Sequence, residues 1–324
     1  MNDAIPQHRL SLETIAAAPA SIDPVFLQTP QYESAGLSET LGCRLTLKVE
    51  TANPIRSFKG RGASYFLDAV VKRGERRQLV CASTGNFGQA MAFACRAHER
   101  RLVVFADTSA NELKMSRIRQ LGAEVRLEGA DFDAAKEAAR QFCEEHGAWM
   151  IEDGREPEIS EGAGTIGVEL TRRRNYDAMV LPVGNGALIS GVARWVKAVS
   201  PLTTVIGVSA AGADAMAESW RSNGIVERPD VETIAEGIAV RVPVPEAVDD
   251  MRPIVDEMVL VSDEQMLEAM RTILRLAGQV VEPSGAAGVA AIAAEPDRFA
   301  GMEVATVLTG NNLTGAQMDS WLGA

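Results

Sequence analysis

The sequence predicts an α/β fold built on parallel β-sheets with helices on both faces. From residue 44 onward, short apolar runs alternate with amphipathic stretches, and this alternation is typical of β-α-β units. The runs are continuously apolar, which suits strands that are buried on both sides. With 324 residues, 46% of them hydrophobic, the chain can bury a full core in one large or two ordinary domains.

Eight apolar runs are predicted to be strands, at residues 44–50, 78–83, 101–106, 124–128, 149–153, 178–184, 204–209 and 305–310. Amphipathic patterns at residues 88–100 and 131–146 predict helices between them. Residues 222–257 are the least regular part, with prolines at 229, 243, 245 and 253. We expect that part to be a long surface excursion and not a domain boundary.

Charge and composition exclude several classes of function. The formal net charge of -12 disfavours binding to nucleic acid or to anionic lipid, which both require Lys and Arg. No apolar stretch approaches the roughly 18 residues of a membrane span, and no signal peptide is visible. Cys43, Cys81, Cys95 and Cys143 lack zinc-binding spacing and are expected to be buried reduced thiols. These features favour a cytoplasmic protein.

Four motifs follow predicted strands, at the end where parallel sheets bind ligands. The first, at residues 53–63, reads NPIRSFKGRGA and contains Lys59. A lysine among small, partly apolar residues can have a lowered pKa, and its amine is then a nucleophile for an aldehyde. Taken alone, the motif is also compatible with a solvated surface lysine.

The second motif, at residues 83–89, reads STGNFGQ. Hydroxyl groups and free backbone N–H groups at the start of a helix can hold a carboxylate. An ordinary helix N-cap with a tight turn is the alternative interpretation.

The third motif, at residues 184–191, reads GNGALISG between a strand and a helix. Its small residues let backbone amides approach a phosphate, and the helix dipole adds to the attraction. The motif lacks the lysine of a nucleotide P-loop and the strict G-x-G-x-x-G spacing, so dinucleotide binding is disfavoured. A plain strand-to-helix turn is the alternative.

The fourth motif, at residues 308–312, reads LTGNN after the final strand. Its threonine hydroxyl can meet a ring nitrogen, although such a motif alone is often only a strand end. Together the four motifs require a ligand with an aldehyde, a phosphate and a heteroaromatic nitrogen, and a partner with a carboxylate. Pyridoxal 5'-phosphate (PLP) with an amino-acid substrate satisfies all four requirements.

The ordered set of motifs, with EGAGTIG at 161–167 and VEPSGAAG at 281–288, resembles the fold-type II PLP enzymes. Within them it is most similar to the serine/threonine dehydratase group, over about residues 25 to 315. The order of the motifs is far more specific than any one of them alone.

The resemblance implies a role for each motif. Lys59 would form the internal Schiff base with PLP, with Phe58 packed beside the ring. Asn86 would bond the pyridine 3'-oxygen, and Thr309 the pyridine nitrogen. The phosphate loop would consist of Gly184, Asn185, Gly186, Ala187 and Leu188. The loop around the substrate carboxylate would contain Ser83, Thr84, Gly85, Asn86 and Gln89.

The resemblance also implies two α/β units with the active site between them. The larger would comprise residues 1–67 and 157–324, and the smaller residues 68–156. Such enzymes are commonly homodimers. Because the chain stops soon after TGNN, we expect no C-terminal regulatory domain and no feedback by isoleucine.

The activity that the resemblance implies is β-elimination from a β-hydroxy-α-amino acid. Lys59 would remove the α-proton, the β-hydroxyl would leave, and the products would be a 2-oxo acid and ammonia. A neutral hydroxyl at the ring nitrogen suits elimination over transamination. β-Replacement, threonine synthesis and racemisation are the alternatives. L-Threonine, L-serine, 3-hydroxyaspartate and larger β-hydroxy amino acids all stay open as substrates.

Several positions depart from the family pattern. Arg56 stands where relatives commonly have glycine, and it is either a fork for a second substrate carboxylate or a structural arginine. Phe87 replaces a common histidine and makes the wall apolar. Thr84 stands where racemases use a catalytic serine. Because Ser209 replaces the first acid of a metal site and Asp214 is the one acid left nearby, we expect no metal.

Overall fold

The computed structural model describes residues 7–222 and 224–323. They form two separate β-sheets with helices packed on both, as the sequence predicts. The larger sheet has the order β1-β2-β10-β7-β8-β9. Its strands are β1 (Gln31–Glu33), β2 (Arg44–Val49), β7 (Ala178–Pro182), β8 (Thr204–Ala210), β9 (Glu257–Val261) and β10 (Glu303–Leu308). All pairs are parallel except β1 with β2, which is antiparallel.

The smaller sheet is wholly parallel, with the order β5-β4-β3-β6. Its strands are β3 (Leu79–Ala82), β4 (Leu102–Ala106), β5 (Glu124–Leu127) and β6 (Trp149–Met150). All four lie inside the predicted smaller unit, 68–156. The boundaries of that unit stay a prediction, and the larger predicted unit includes residues 1–6, 223 and 324, which lie outside the described residues.

Fourteen helices connect the strands of the described residues. They are α1 (Leu12–Ala17), α2 (Ala35–Leu41), α3 (Lys59–Lys72), α4 (Asn86–Ala97), α5 (Glu112–Gln120), α6 (Phe132–His146), α7 (Pro157–Thr171), α8 (Ala187–Val199), α9 (Ala215–Arg221), α10 (Pro245–Met251), α11 (Asp263–Ala277), α12 (Pro283–Ala294), α13 (Pro296–Phe299) and α14 (Gly315–Leu322). Among the described residues, no helix is both long and apolar enough to cross a membrane.

Successive residues of the central strands pack into different cores. In β10, Val304 and Leu308 join the cluster on one face, whereas Ala305 and Val307 join the cluster on the other. The same alternation divides β4 between two clusters. Burial on both faces explains why these strands are continuously apolar. The four cysteines are free and buried, as predicted.

Two strands and one segment were not predicted correctly. The sequence analysis missed β1, which has three residues at a sheet edge, and β9, which follows the proline-rich segment. The segment 222–257 is not merely a surface excursion. It contains α10 and a 3₁₀ helix at Glu236–Ile238, and Ile238 and Val248 are buried. The prolines predicted an irregular surface segment, but its apolar residues pack on the larger sheet.

Candidate active site

The lysine motif and the TGNN motif lie side by side at the end of the larger sheet. Ser57 forms an isolated β-bridge with Gly310, and Phe58 N donates to Thr309 O at 3.0 Å. These contacts join two segments from opposite ends of the chain, and they place Lys59 and Thr309 on one cavity. The structure thus brings together two residues that the sequence analysis assigned to one ligand.

Asn53 shapes the turn that precedes Lys59. Its amide nitrogen donates to the carbonyls of Glu50 (2.8 Å) and Ser57 (3.1 Å). Its amide oxygen accepts from the N–H of Ile55 at 3.1 Å. An asparagine that bonds nearby backbone groups in this way fixes a turn, and the turn delivers Lys59 to the first position of α3.

A buried ion network anchors α3 beneath the site. The Arg61 guanidinium, fully buried, donates to both carboxylate oxygens of Glu50 (2.9 and 2.8 Å) and to those of Glu169 (2.7 and 2.9 Å). Lys48 Nζ also donates to Glu169, at 2.6 Å. Burial opposes ionisation of Glu169, but the Arg61 hydrogen bonds and the charges of Arg61 and Lys48 outweigh it and lower its pKa to about 2. The network ties α3 to β2 and α7, and so fixes the start of the helix that carries Lys59.

The predicted phosphate loop lies between β7 and α8 and is closely enclosed. Gly186 has φ of 88°, a conformation that glycine adopts without strain. A side chain at Gly184 would clash with the carbonyl of Gly237, and one at Gly186 would meet Ala247 Cβ at 3.0 Å. The first N–H groups of α8 have no partner inside the helix and point to this loop. Close packing therefore leaves no room for a side chain at Gly184 or Gly186, and the free N–H groups at the start of α8 suit this loop for an anionic group.

One cavity joins the loop, the lysine and the threonine. It is lined by Phe58, Lys59, Asn86, Asp153, Pro182, Gly184, Asn185, Gly186, Ala187, Leu188, Gly237, Ile238, Glu282, Ser284 and Thr309. It opens into a second cavity of about 490 Å³ between the two sheets, which is lined by the residues of the 83–89 loop from Ser83 to Phe87. The donors present fit PLP: an amine for its aldehyde, backbone amides for its phosphate and a hydroxyl for its ring nitrogen.

Asn86 begins α4 and has both ends of its side chain engaged. Its Nδ2 donates to Glu282 Oε1 at 2.6 Å, and its Oδ1 accepts from Asn312 Nδ2 at 2.7 Å. Burial raises the pKa of Glu282. The second N–H of Asn86 Nδ2 can still serve the pyridine 3'-oxygen, which is its predicted partner.

The predicted carboxylate loop caps its own helix. Ser83 Oγ accepts from the N–H groups of Gly85 (3.2 Å) and Gly88 (2.9 Å). Its hydroxyl proton remains available to a ligand. Thr84 faces the larger cavity, and a side chain at Gly85 would enter open space. Gln89 lies buried in α4, and its amide nitrogen has no hydrogen-bond partner among the described residues.

Arg56 lies outside the walls of both cavities as far as the described residues define them. Its side chain is exposed and its φ is 54°. Burial and the nearby charge of Arg56 lower the pKa of Arg117, and Arg117 donates to Asn312 at 3.0 Å. Arg56 therefore stands beside the TGNN segment, at the rim of the site. Contact with a substrate stays a prediction.

The position considered for a metal is occupied by an ion pair. Both carboxylate oxygens of Asp214 accept from Arg228, at 2.6 and 2.8 Å. Ser209 is fully buried in β8. Within residues 7–222 and 224–323, no cluster of three or more His, Cys, Asp or Glu side chains is arranged to hold a metal.

Several residues that line the cavity were missed by sequence analysis. Gly237 and Ile238 come from the proline-rich segment, and Glu282 precedes α12 in the VEPSGAAG motif. Asp153 lies in the loop after β6 and contacts Lys59. The sequence did contain a signal for Asp153, because it follows a parallel strand at the end where ligands bind. The predicted strand at 149–153 extended over it, whereas β6 ends at Met150.

Comparison with known proteins identifies the family of the chain. The sequence pattern of the family described as "Pyridoxal-phosphate dependent enzyme" matches residues 22–310. The chain belongs to this family. It is 36% identical to the L-threonine ammonia-lyase of Thermotoga maritima, over 94% of this chain and 76% of that protein. It is 30% identical to the biosynthetic L-threonine dehydratase of Halalkalibacterium halodurans, over 94% of this chain and 74% of that one.

Solved structures agree on the fold. A threonine deaminase from the organism abbreviated T.th. has a TM-score of 0.87 at 32% identity, covering 94% of this chain and 99% of that one. Threonine deaminase isoform 2 of Solanum lycopersicum has a TM-score of 0.89 at 28% identity, covering 96% and 87%. The protein is therefore a fold-type II PLP enzyme of the serine/threonine dehydratase type and an ammonia-lyase, as the resemblance implied, with PLP as its cofactor.

Proposed function

We propose that the protein catalyses the β-elimination of water from a β-hydroxy-α-amino acid, with L-threonine as the leading candidate, to give a 2-oxo acid and ammonia. The observation that carries this proposal is the position of Lys59. Its amine lies on one cavity with the glycine-lined phosphate loop and Thr309. That cavity opens towards the 83–89 loop, where a carboxylate can bind.

In this reaction, Lys59, the 83–89 loop and Thr309 each have a different role. Bound PLP supplies an aldehyde and an electron-withdrawing ring that stabilises negative charge on the substrate α-carbon. Lys59 Nζ accepts the α-proton as the general base. The amides and hydroxyls of the 83–89 loop hold the substrate carboxylate and fix the direction of the Cα–H bond towards Lys59. The Thr309 hydroxyl, being neutral, leaves the ring nitrogen unprotonated, which favours elimination.

The choice of substrate is the finer part of the proposal. The names of the relatives support threonine, and the apolar ring of Phe87 on the cavity wall accommodates its methyl group. The same apolar wall offers no hydrogen bond to the second carboxylate of 3-hydroxyaspartate. The hypothesis that Arg56 binds that carboxylate stays open, as do homodimer formation and a cytoplasmic location.

The test is a 2-oxo acid assay of the PLP-loaded protein with both enantiomers of threonine, serine and 3-hydroxyaspartate. We expect L-threonine to be turned over fastest and Lys59→Ala to lose activity by at least a thousandfold while remaining folded by circular dichroism. Arg56→Ala serves as the matched variant. If Arg56 reads a distal carboxylate, its loss costs 3-hydroxyaspartate roughly 2–4 kcal/mol in kcat/KM and spares threonine.

Other outcomes point to other reactions. If no substrate yields an oxo acid although PLP is bound to Lys59, elimination is excluded. Inversion at Cα of the recovered amino acid, seen as D-serine from L-serine or D-allo-threonine from L-threonine, would then indicate racemisation, with Thr84 as the acid on the opposite face. Consumption of the amino acid only in the presence of a second nucleophile would indicate β-replacement.

A further inference from the structure

Asp153 lies against the amine of Lys59 in the cofactor cavity. Its Oδ2 accepts a hydrogen bond from Lys59 Nζ, and the two side chains are only 9% and 15% exposed. The other oxygen, Oδ1, is buried and has no hydrogen-bond partner in the described part of the chain. A carboxylate with one free oxygen is not saturated by structural contacts, so its place in the cavity calls for an explanation beyond packing.

The other charged groups around the two cavities have partners of their own. They form three ion pairs, which are Lys136 with Glu152, Lys114 with Glu236, and Arg241 with Asp133. Asp107 accepts from Ser109, and Glu282 accepts from Asn86 and from the N–H of Asn312. Glu152 also contacts Arg140 and Arg155. Among the described residues, Asp153 is therefore the carboxylate that balances the charge of Lys59.

We propose that Asp153 is the charge partner and positioning residue of Lys59, and that in the cofactor-free protein it holds the Lys59 amine in an ion pair that competes with the cofactor aldehyde for that amine. An opposite charge in contact favours the charged form, most strongly where water is scarce. In the cofactor-free protein, this ion pair keeps the Lys59 amine aimed into the cavity and engaged by Asp153, which slows its attack on an aldehyde.

In the PLP-loaded enzyme, the same contact between Asp153 and Lys59 favours transfer of the α-proton to Lys59. When Lys59 takes the α-proton, the Cα–H bond breaks, its electron pair stays on carbon, and a new N–H bond makes Nζ an ammonium. Asp153 stabilises this charged product but not the neutral amine before it, so it favours proton transfer. This part rests on the proposed function, whereas the charge on Lys59 in the cofactor-free protein does not.

The test uses the cofactor-free protein and the variant Asp153→Asn, which keeps a hydrogen-bond acceptor of the same shape and removes the charge. Lys59 is labelled with acetic anhydride between pH 6 and 11, and its labelling is read by peptide mass spectrometry relative to the exposed Lys72. We expect at least tenfold faster labelling of Lys59 in the variant at pH 7, and convergence near pH 11. Capture of added PLP, followed by absorbance, accelerates by the same factor at pH 7.

The matched control is Asp107→Asn, which removes a carboxylate from the same cavity wall but not from Lys59. Its Lys59 labelling stays within twofold of the wild type at every pH. Equal labelling profiles for wild type and Asp153→Asn overturn the proposal. If Asp153→Asn does not fold, Asp153→Ser is the second neutral variant and must show the same acceleration. Because labelling needs neither substrate nor turnover, its result is independent of which amino acid the enzyme acts on.

Discussion

Arg56 is held in a backbone conformation that glycine adopts more readily. Its φ of 54° places a side chain in the left-handed region, at a cost of roughly 1–2 kcal/mol. The backbone cannot relax, because Arg56 N donates to Asn53 O (3.0 Å) and Arg56 O accepts from Asn311 N (3.1 Å). Those bonds tie the Lys59 segment to the TGNN segment. The site thus requires the turn, and the arginine occupies it under strain.

The first prediction concerns this strain. Arg56→Gly raises the free energy of unfolding by about 1 kcal/mol, because glycine relieves most of the left-handed penalty but costs some entropy in the unfolded chain. Urea denaturation followed by fluorescence measures it. Arg56→Ala is the control that removes the side chain alone. Alanine has the same left-handed backbone penalty as arginine, so this variant does not gain stability from relief of strain. A glycine variant less stable than the alanine variant would contradict the interpretation.

At the scale of elements, the turn from β7 into α8 matters most. It packs against the segment 235–239, which comes from another part of the chain, and the contact of Gly184 with the Gly237 carbonyl leaves no room for a Cβ. The phosphate cradle is therefore made by two segments, of which only one was recognised from its glycines. The ion network around Arg61 plays a similar part for α3, by fixing the helix from below.

The second prediction tests the cradle. Gly184→Ala pushes the loop away from Gly237 and weakens PLP binding at least tenfold, since misplaced amides no longer converge on the phosphate. Equilibrium titration of the cofactor-free protein with PLP gives the dissociation constant. Gly315→Ala, at the first position of α14 with open space around its Cα, is the matched control and leaves the constant unchanged. Equal affinities in the two variants would show that the close contact is not required.

At the scale of the whole molecule, two buried carboxyl groups link stability to pH. Burial, reinforced by the charge of Glu158, raises the pKa of Glu156 to about 7. Burial likewise raises the pKa of Glu161 to about 7. Glu156 immediately precedes α7, and Glu161 lies within that helix. A carboxyl group whose pKa is higher in the folded state stabilises the protein when protonated. This contribution is complete below about pH 4.5 and is lost as the pH rises through 7.

The third prediction follows from this loss of stability with rising pH. Glu156→Gln stays neutral at all pH values, so relative to the wild type it gains stability between pH 5.5 and pH 8.5, by about 1–3 kcal/mol. Denaturation with urea at the two pH values measures the difference. Glu268→Gln, an exposed position on α11, is the control and shows no such change. A Glu156 variant whose advantage over the wild type is the same at both pH values would refute the assignment.

The sequence by itself determined the fold class, the order of the motifs and the residues at the strand ends. These features are local: a strand buried on both faces must be apolar along its length, and a parallel strand exposes its carboxyl end to ligands. Lys59, Thr309 and the 184–188 loop could therefore be named from their motifs, and Asn86 from the resemblance, and the structure places all of them on one cavity.

Only the tertiary structure decided which distant segments meet there. Asp153 reaches Lys59 across 94 positions of sequence, and Glu282 reaches Asn86 across 196. The proline-rich segment folds back against the phosphate loop and closes it at Gly237. The hydrophobic periodicity of the sequence does not predict such contacts. They form only when the two sheets and their loops pack together around one buried space. The charge around Lys59 is therefore a property of the folded molecule.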